Sequence, residues 1–184
     1  MSSSLAVIGP VESNTAADGP LRLREAELAD AATVVSLIHA AFEEYRGVLD
    51  PPPAGLSETP ASVRAHIKRG DAGVLLVELK GQAVGCVFYA AHPADGFVHL
   101  GRLSVHPTAR GCGVGNVLIA GVEARARQLG YHRVHLGTRA LLADKRAWYE
   151  RLGFRVVAET PLPGHAATPS SPLILMEKRL GIAP

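Results

Sequence analysis

Cysteine is scarce in this chain: Cys86 and Cys112 are the two it has. Neither their number nor their spacing supports a disulfide framework or a metal site, so no metal is expected. Basic blocks are missing too, with 19 Lys and Arg spread against 17 Asp and Glu. A nucleic-acid face needs clustered positive charge, and nucleic acid is therefore not an expected partner. No apolar run approaches the ~18 residues of a membrane span, which removes the membrane as a partner. The first 19 residues hold no Lys or Arg, and their apolar patch from Leu5 to Ile8 stops at Gly9-Pro10. That fits neither a secretory nor a transit signal, and a cytoplasmic location is the expectation.

What remains is ordinary for a globular chain: 47% apolar and 20% charged over 184 residues, with no internal repeat. Residues 1–19 are rich in small and polar types and read as a disordered tail, leaving one domain over residues 20–184. Leu21 to Arg24 alternates as a first strand, and Asp30 caps a helix running to about Gly47. Asp50 to Thr59 holds three consecutive prolines and reads as loop, and Thr59-Pro60 starts a short helix closed by Gly70. Val74 to Leu79 and Ala83 to Ala91 form a hairpin across Lys80-Gly81. Strands follow at Phe97 to Val105, Arg133 to Thr138, Phe154 to Glu159 and Leu173 to Met176. Helices follow at Val114 to Leu129 and about Asp144 to Leu152, with an irregular Pro161–Pro172 loop.

The chain turns around the stretch from Phe97 to Gly130. A strand runs into His106-Pro107, then Arg110-Gly111-Cys112-Gly113-Val114-Gly115, then an amphipathic helix. The first N–H groups of a helix lack internal partners and carry the positive end of the dipole, which suits a phosphate. Glycines at alternate positions let a bulky anion reach the backbone, and Arg110 adds a cation, so a diphosphate is the expected ligand. The spacing fails the dinucleotide fingerprint, where Asn116 stands in place of the last Gly, and fails the P-loop, which needs a Lys followed by Ser or Thr.

L-S-V-H-P followed by R-x-x-G-x-G at Arg110, Gly113 and Gly115 resembles the pyrophosphate motif of the GNAT superfamily of acyl-CoA-dependent N-acyltransferases. Trp148 to Phe154 is similar to that family's Y-x-x-x-G-F segment. The resemblance covers about residues 21–180 and implies a mixed α/β fold whose central sheet splays open between its fourth and fifth strands. It implies acetyl-CoA as cosubstrate, held by Leu103, Ser104 and Val105 and by Arg110, Gly111, Cys112, Gly113, Val114, Gly115 and Asn116. The oxyanion would meet a backbone N–H near Ser104 or Val105. Relatives often carry an asparagine seven residues before the tyrosine; here that position is Leu142, so one expected cofactor contact is lacking or supplied elsewhere.

Acyl transfer to an amine requires placement of the neutral amine, a proton acceptor, an oxyanion partner and an acid for the leaving thiolate. The resemblance gives Tyr149 the acid role, against the alternative of a tyrosine packed in the core. It places His99 where many relatives carry a glutamate base; a water chain, with a structural His99, is the alternative. Cys112 sits where a thiol pKa can fall, but without a partnering base it reads as a small residue filling the turn. Acceptor specificity is expected from Tyr45 to Thr59 and from Pro161 to Pro172. Glu43, Glu44, Asp50, Glu58 and Glu159 are available to attract an ammonium group, or are solvated surface charges.

The implied activity is acetyl transfer to a primary amine of a small molecule or peptide by direct attack in a ternary complex. A non-catalytic acyl-CoA-binding module is the second reading, needing Arg110 and the glycine turn but neither Tyr149 nor His99. An exposed last strand would allow a homodimer through a free sheet edge.

Overall fold

The computed structural model describes residues 19–161 and 172–181. The tail up to residue 18 and the loop over 162–171 lie outside them.

Seven strands form one sheet in the order β1-β2-β3-β4-β5-β7-β6. They are β1 (Leu21–Glu25), β2 (Ala72–Leu79), β3 (Gln82–His92), β4 (Phe97–Val105), β5 (Arg133–Arg139), β6 (Arg155–Thr160) and β7 (Leu173–Arg179). Every adjacent pair is antiparallel except β4 with β5. The helices are α1 (Ala31–Phe42), α2 (Pro60–Ile67), α3 (Val114–Gln128) and α4 (Ala143–Arg151). Among the described residues no helix is long and apolar enough to cross a membrane.

The sheet has an apolar core on each face. Side chains of α3 and α4, among them Val117, Leu118, Val122 and Tyr149, share one core with Leu75, Val87, Leu100 and Leu136. On the other face Val34, Leu37 and Ile38 of α1 and Val63 of α2 pack with Val74, Leu76, Cys86 and Phe88. The expected period of three and four holds the buried side of α1 and α3 toward the sheet. A short 3-10 turn, Glu43–Tyr45, continues α1 and carries Tyr45 toward the splayed region. Thr59 caps the start of α2 ahead of Pro60, and with Ser62 it forms a reciprocal box, each side chain accepting from the other's backbone N–H.

Several expectations need correction. Asp30 precedes α1 but its side chain does not cap it. Its carboxylate accepts instead from the Glu27 N–H and from Arg24 at 2.7 and 2.9 Å, an ion pair with more to offer than a neutral donor. The last strand runs three residues past Met176, because Glu177 and Lys178 find partners in His135 and Glu123, at 2.8 and 2.6 Å. That strand is also not an edge: β7 lies between β5 and β6, so the edges among the described strands are β1 and β6, the latter with Val156 and Val157 exposed.

The feature that shapes the site is in β4. Gly101 pairs with Phe88 and Ser104 with Cys86, so Arg102 and Leu103 stand against one residue of β3. Arg102 takes the extra turn at φ +52°, an uncommon conformation for a residue with a Cβ. The burial phase changes across it, from Val98 and Leu100 to Leu103 and Val105 on the α3 side. Pairing between β4 and β5 covers Val98, His99 and Leu100 and then ends. Past that point β4 stays with β3 while Gly137, Thr138 and Arg139 stay with β7. The expected splay is there, and its tip is at the bulge.

Candidate active site

The turn between β4 and α3 is built from a proline and two left-handed glycines. His106 Nδ1 accepts from the Thr108 N–H as the chain enters the 3-10 turn Pro107–Ala109. Gly111 and Gly113 then take φ +81° each, which a side chain would resist. Gly115 serves another purpose: a Cβ there would lie 3.1 Å from the Trp148 ring. The first turn of α3, at Val114, Gly115 and Asn116, lines a groove.

That groove has a volume of about 520 Å³. Its walls include Leu103, Val105, Arg110, Gly111, Gly113, Val114, Gly115 and Asn116. Two of the expected cofactor residues are not in the wall. Ser104 is buried, its hydroxyl donating to the Arg102 carbonyl at 2.9 Å, and the Cys112 thiol points back toward the Arg110 carbonyl. The bare backbone, the helix terminus and Arg110 fit a diphosphate, and a cosubstrate carrying one would extend along Leu103 and Val105.

At Tyr45, Leu103 and Lys145 the groove meets a cavity of about 100 Å³ between the diverging strands. Tyr149 lines it, 6% exposed, and burial pushes its phenol well above the ordinary tyrosine range. Arg102, Thr138, Arg139 and Leu142 complete much of the wall. Leu142 thus faces the cavity from the position where a polar contact was expected.

His99 is elsewhere. It lines a separate depression of about 370 Å³ on the α2 side, with Glu58, His66 and His92. The two spaces share Gly101 and Arg102 as walls, so His99 and Tyr149 stand on opposite sides of the bulge. Burial lowers the imidazole to about 4, helped by His92, Arg102 and His135. It is neutral and a weak base.

Three of the five carboxylates expected to attract an ammonium group are held in ion pairs. Glu43 pairs with Arg46, Glu44 with Arg110 and Glu58 with Arg102. Asp50 approaches the cavity through its carbonyl, which accepts from Arg139, and Glu159 lies exposed on β6. Sequence reasoning missed Lys145, Trp148, Arg102 and Arg139. Lys145, one helical turn before Tyr149 on the same face, and Trp148, next to Tyr149, carried a local signal; Arg102 and Arg139 join them only through the fold.

The fold and groove are those of a large group of enzymes. A family model described as the Acetyltransferase (GNAT) family matches residues 36–154. The chain belongs to that family of acyl-CoA N-acyltransferases. An IAA acetyltransferase from Azospirillum brasilense is 32% identical over 132 residues, 71% of this chain and 81% of that protein. The N-acetylaspartate synthetase of Danio rerio is 39% identical over 94 residues, half of this chain and 33% of its own length. The chain thus spans about a third of that relative's length. Among solved structures, the paia N-acetyltransferase from Thermoplasma acidophilum in complex with coenzyme A superposes with a TM-score of 0.69. That match has 15% identity and covers 88% of this chain and 99% of the other.

Proposed function

We propose that this chain transfers an acetyl group from acetyl-CoA to a primary amine of a small molecule or peptide, by direct attack in a ternary complex. The observation that carries this reading is the join at Tyr45, Leu103 and Lys145, where a groove suited to a diphosphate opens onto a cavity lined by a buried phenol. Acetyl-CoA supplies the activated thioester. Arg110 and the N–H groups at the start of α3 hold its diphosphate, and the unpaired length of β4 beside the splay offers backbone to its pantetheine arm. A backbone N–H near Ser104 or Val105 stabilises the oxyanion.

Burial keeps the Tyr149 phenol protonated at neutral pH, so its O–H is available to hydrogen-bond the sulfur and to protonate it as the thiolate leaves. His99 lies across the bulge, neutral and weakly basic. It lines the α2-side depression and not the cavity, so it would take up the amine proton only through bridging water.

The test is thiol release from acetyl-CoA with a panel of amines, run beside calorimetry for acetyl-CoA alone. Saturable amine-dependent release supports the enzyme. Tight acetyl-CoA binding with no release from any amine supports the non-catalytic module instead. Absence of binding overturns both.

A further inference from the structure

The cavity between β4 and β5 has a charge pattern opposite to the one expected for an ammonium site. Among the described residues, Arg102, Arg139 and Lys145 line it and no Asp or Glu does. Two of the three are braced from outside. Arg102 donates to Glu58 at 2.9 Å, and Arg139 donates to the carbonyls of Pro51 and Asp50 at 3.2 and 2.6 Å.

Lys145 differs. Its ammonium stands over the faces of Tyr45, at 4.8 Å, and Phe42, at 5.5 Å. Among the described residues it makes no ion pair. The nearest candidate, Glu44, is held by Arg110 in a two-pronged pair. Burial holds the Lys145 pKa below the ordinary lysine range, with Glu44 opposing and Arg110 adding to the shift. Ring faces compensate a desolvated cation only in part, and a partly buried charge of this kind is stabilised when an anion arrives.

We infer that the acceptor amine carries a carboxylate, and that Lys145 receives it in the cavity between the splayed strands. The inference rests on the acetyltransferase reading above and narrows its acceptor to small amino carboxylates. Size argues the same way: one water needs about 10–15 Å³ by this measure, so a cavity of about 100 Å³ holds a small molecule and not a bulky one. Spacing agrees as well. Lys145 and Tyr149 are one helical turn apart, about 5–6 Å between Cβ atoms, and both line the cavity. A carboxylate on Lys145 therefore sets an amine a short spacer away on the side of the phenol that serves the leaving thiolate.

The competing assignment gives Lys145 to the cosubstrate, since it also lines the groove. The experiment separates them. Initial rates are measured for small amino acids and for their carboxamides, with the parent, Lys145→Gln and Lys145→Arg, and acetyl-CoA affinity is measured for each by calorimetry. A charge-assisted contact predicts that the parent prefers the carboxylate by about 10- to 100-fold in kcat/KM. Lys145→Gln should abolish that preference through KM while leaving acetyl-CoA affinity within about twofold, and Lys145→Arg should restore part of it. Equal use of acid and amide by the parent overturns the inference but leaves the acetyltransferase reading standing. A loss of acetyl-CoA affinity in Lys145→Gln, with amine KM unchanged, overturns it in favour of the cosubstrate. If no amine releases thiol, the acetyltransferase reading itself fails and takes this inference with it.

Discussion

Arg110 and Glu44 close a two-pronged ion pair across the mouth of the groove, at 2.9 and 3.0 Å. The same guanidinium reaches the Ala41 carbonyl at 3.4 Å. The cation assigned to the diphosphate is thus already neutralised by a carboxylate from the end of α1, and a bound diphosphate must compete with it. Exposed pairs of this kind are worth about 0.2–1 kcal/mol. Glu44→Gln should therefore tighten acetyl-CoA binding, by up to about fivefold, while Arg110→Gln weakens it. Calorimetry on the two variants checks both signs, and weaker binding in Glu44→Gln would mean the pair positions Arg110 instead of competing for it.

Tyr149→Phe should lower kcat by roughly 100-fold or more, the usual scale for losing a general acid. Acetyl-CoA affinity should stay near that of the parent, because the phenol faces the cavity beyond the groove. An unchanged kcat would return Tyr149 to a packing role beside Phe154, whose ring lies 5.9 Å away.

Acid should destabilise the fold through His99. Its folded value of about 4 lies below the reference 6.5, so between them the unfolded chain binds a proton that the folded chain refuses. The contribution is complete above pH 6.5 and is lost as the pH falls toward 4. His66 adds in the same direction, its imidazole lowered by burial against bonds to the Tyr89 and Gly73 carbonyls. Melting temperature followed from above pH 6.5 downward should fall less steeply in His99→Gln than in the parent. Parallel slopes would remove His99 as a source of the acid sensitivity.

Two glycines should separate stability from ligand affinity. A Cβ on Gly121 of α3 would lie 2.6 Å from Leu23 Cδ2 and 2.9 Å from Leu75 Cδ1. Gly121→Ala should cost about 1–3 kcal/mol by overpacking and leave acetyl-CoA affinity alone. Gly113→Ala meets open space but must hold φ +81°, costing about 1–2 kcal/mol, and it should weaken acetyl-CoA as well. Thermal unfolding with and without ligand reads both effects.

The order of elements was legible because each is local: alternation, helical period, Pro and Gly punctuation. So was the anion turn, where strand, proline, arginine and glycines follow one another without interruption. What was illegible depended on distant partners. The polar end of β7 looked like the chain running out, since neither His135 nor Glu123 announces that it will hold Glu177 and Lys178. The place of β7 between β5 and β6 leaves no mark on either strand's pattern. The cationic cavity draws Arg102, Arg139 and Lys145 from β4, β5 and α4, and no spacing rule joins them. Of the carboxylates the sequence brought forward, Glu44 and Glu58 are neutralised by arginines from other elements.

The bulge at Arg102 makes β4 a strand read in two frames. Up to Leu100 the even positions face α3, and from Leu103 onward the odd ones do. A deletion of one residue here would therefore act as a frame correction: the two halves of β4 would fall into step, and β4 would be free to pair with β5 along its whole length. The seam would close, and with it the room for a thioester and an amine to meet. An ordinary, uninterrupted strand is thus what this enzyme must avoid at that point, and one surplus residue is how its sequence avoids it.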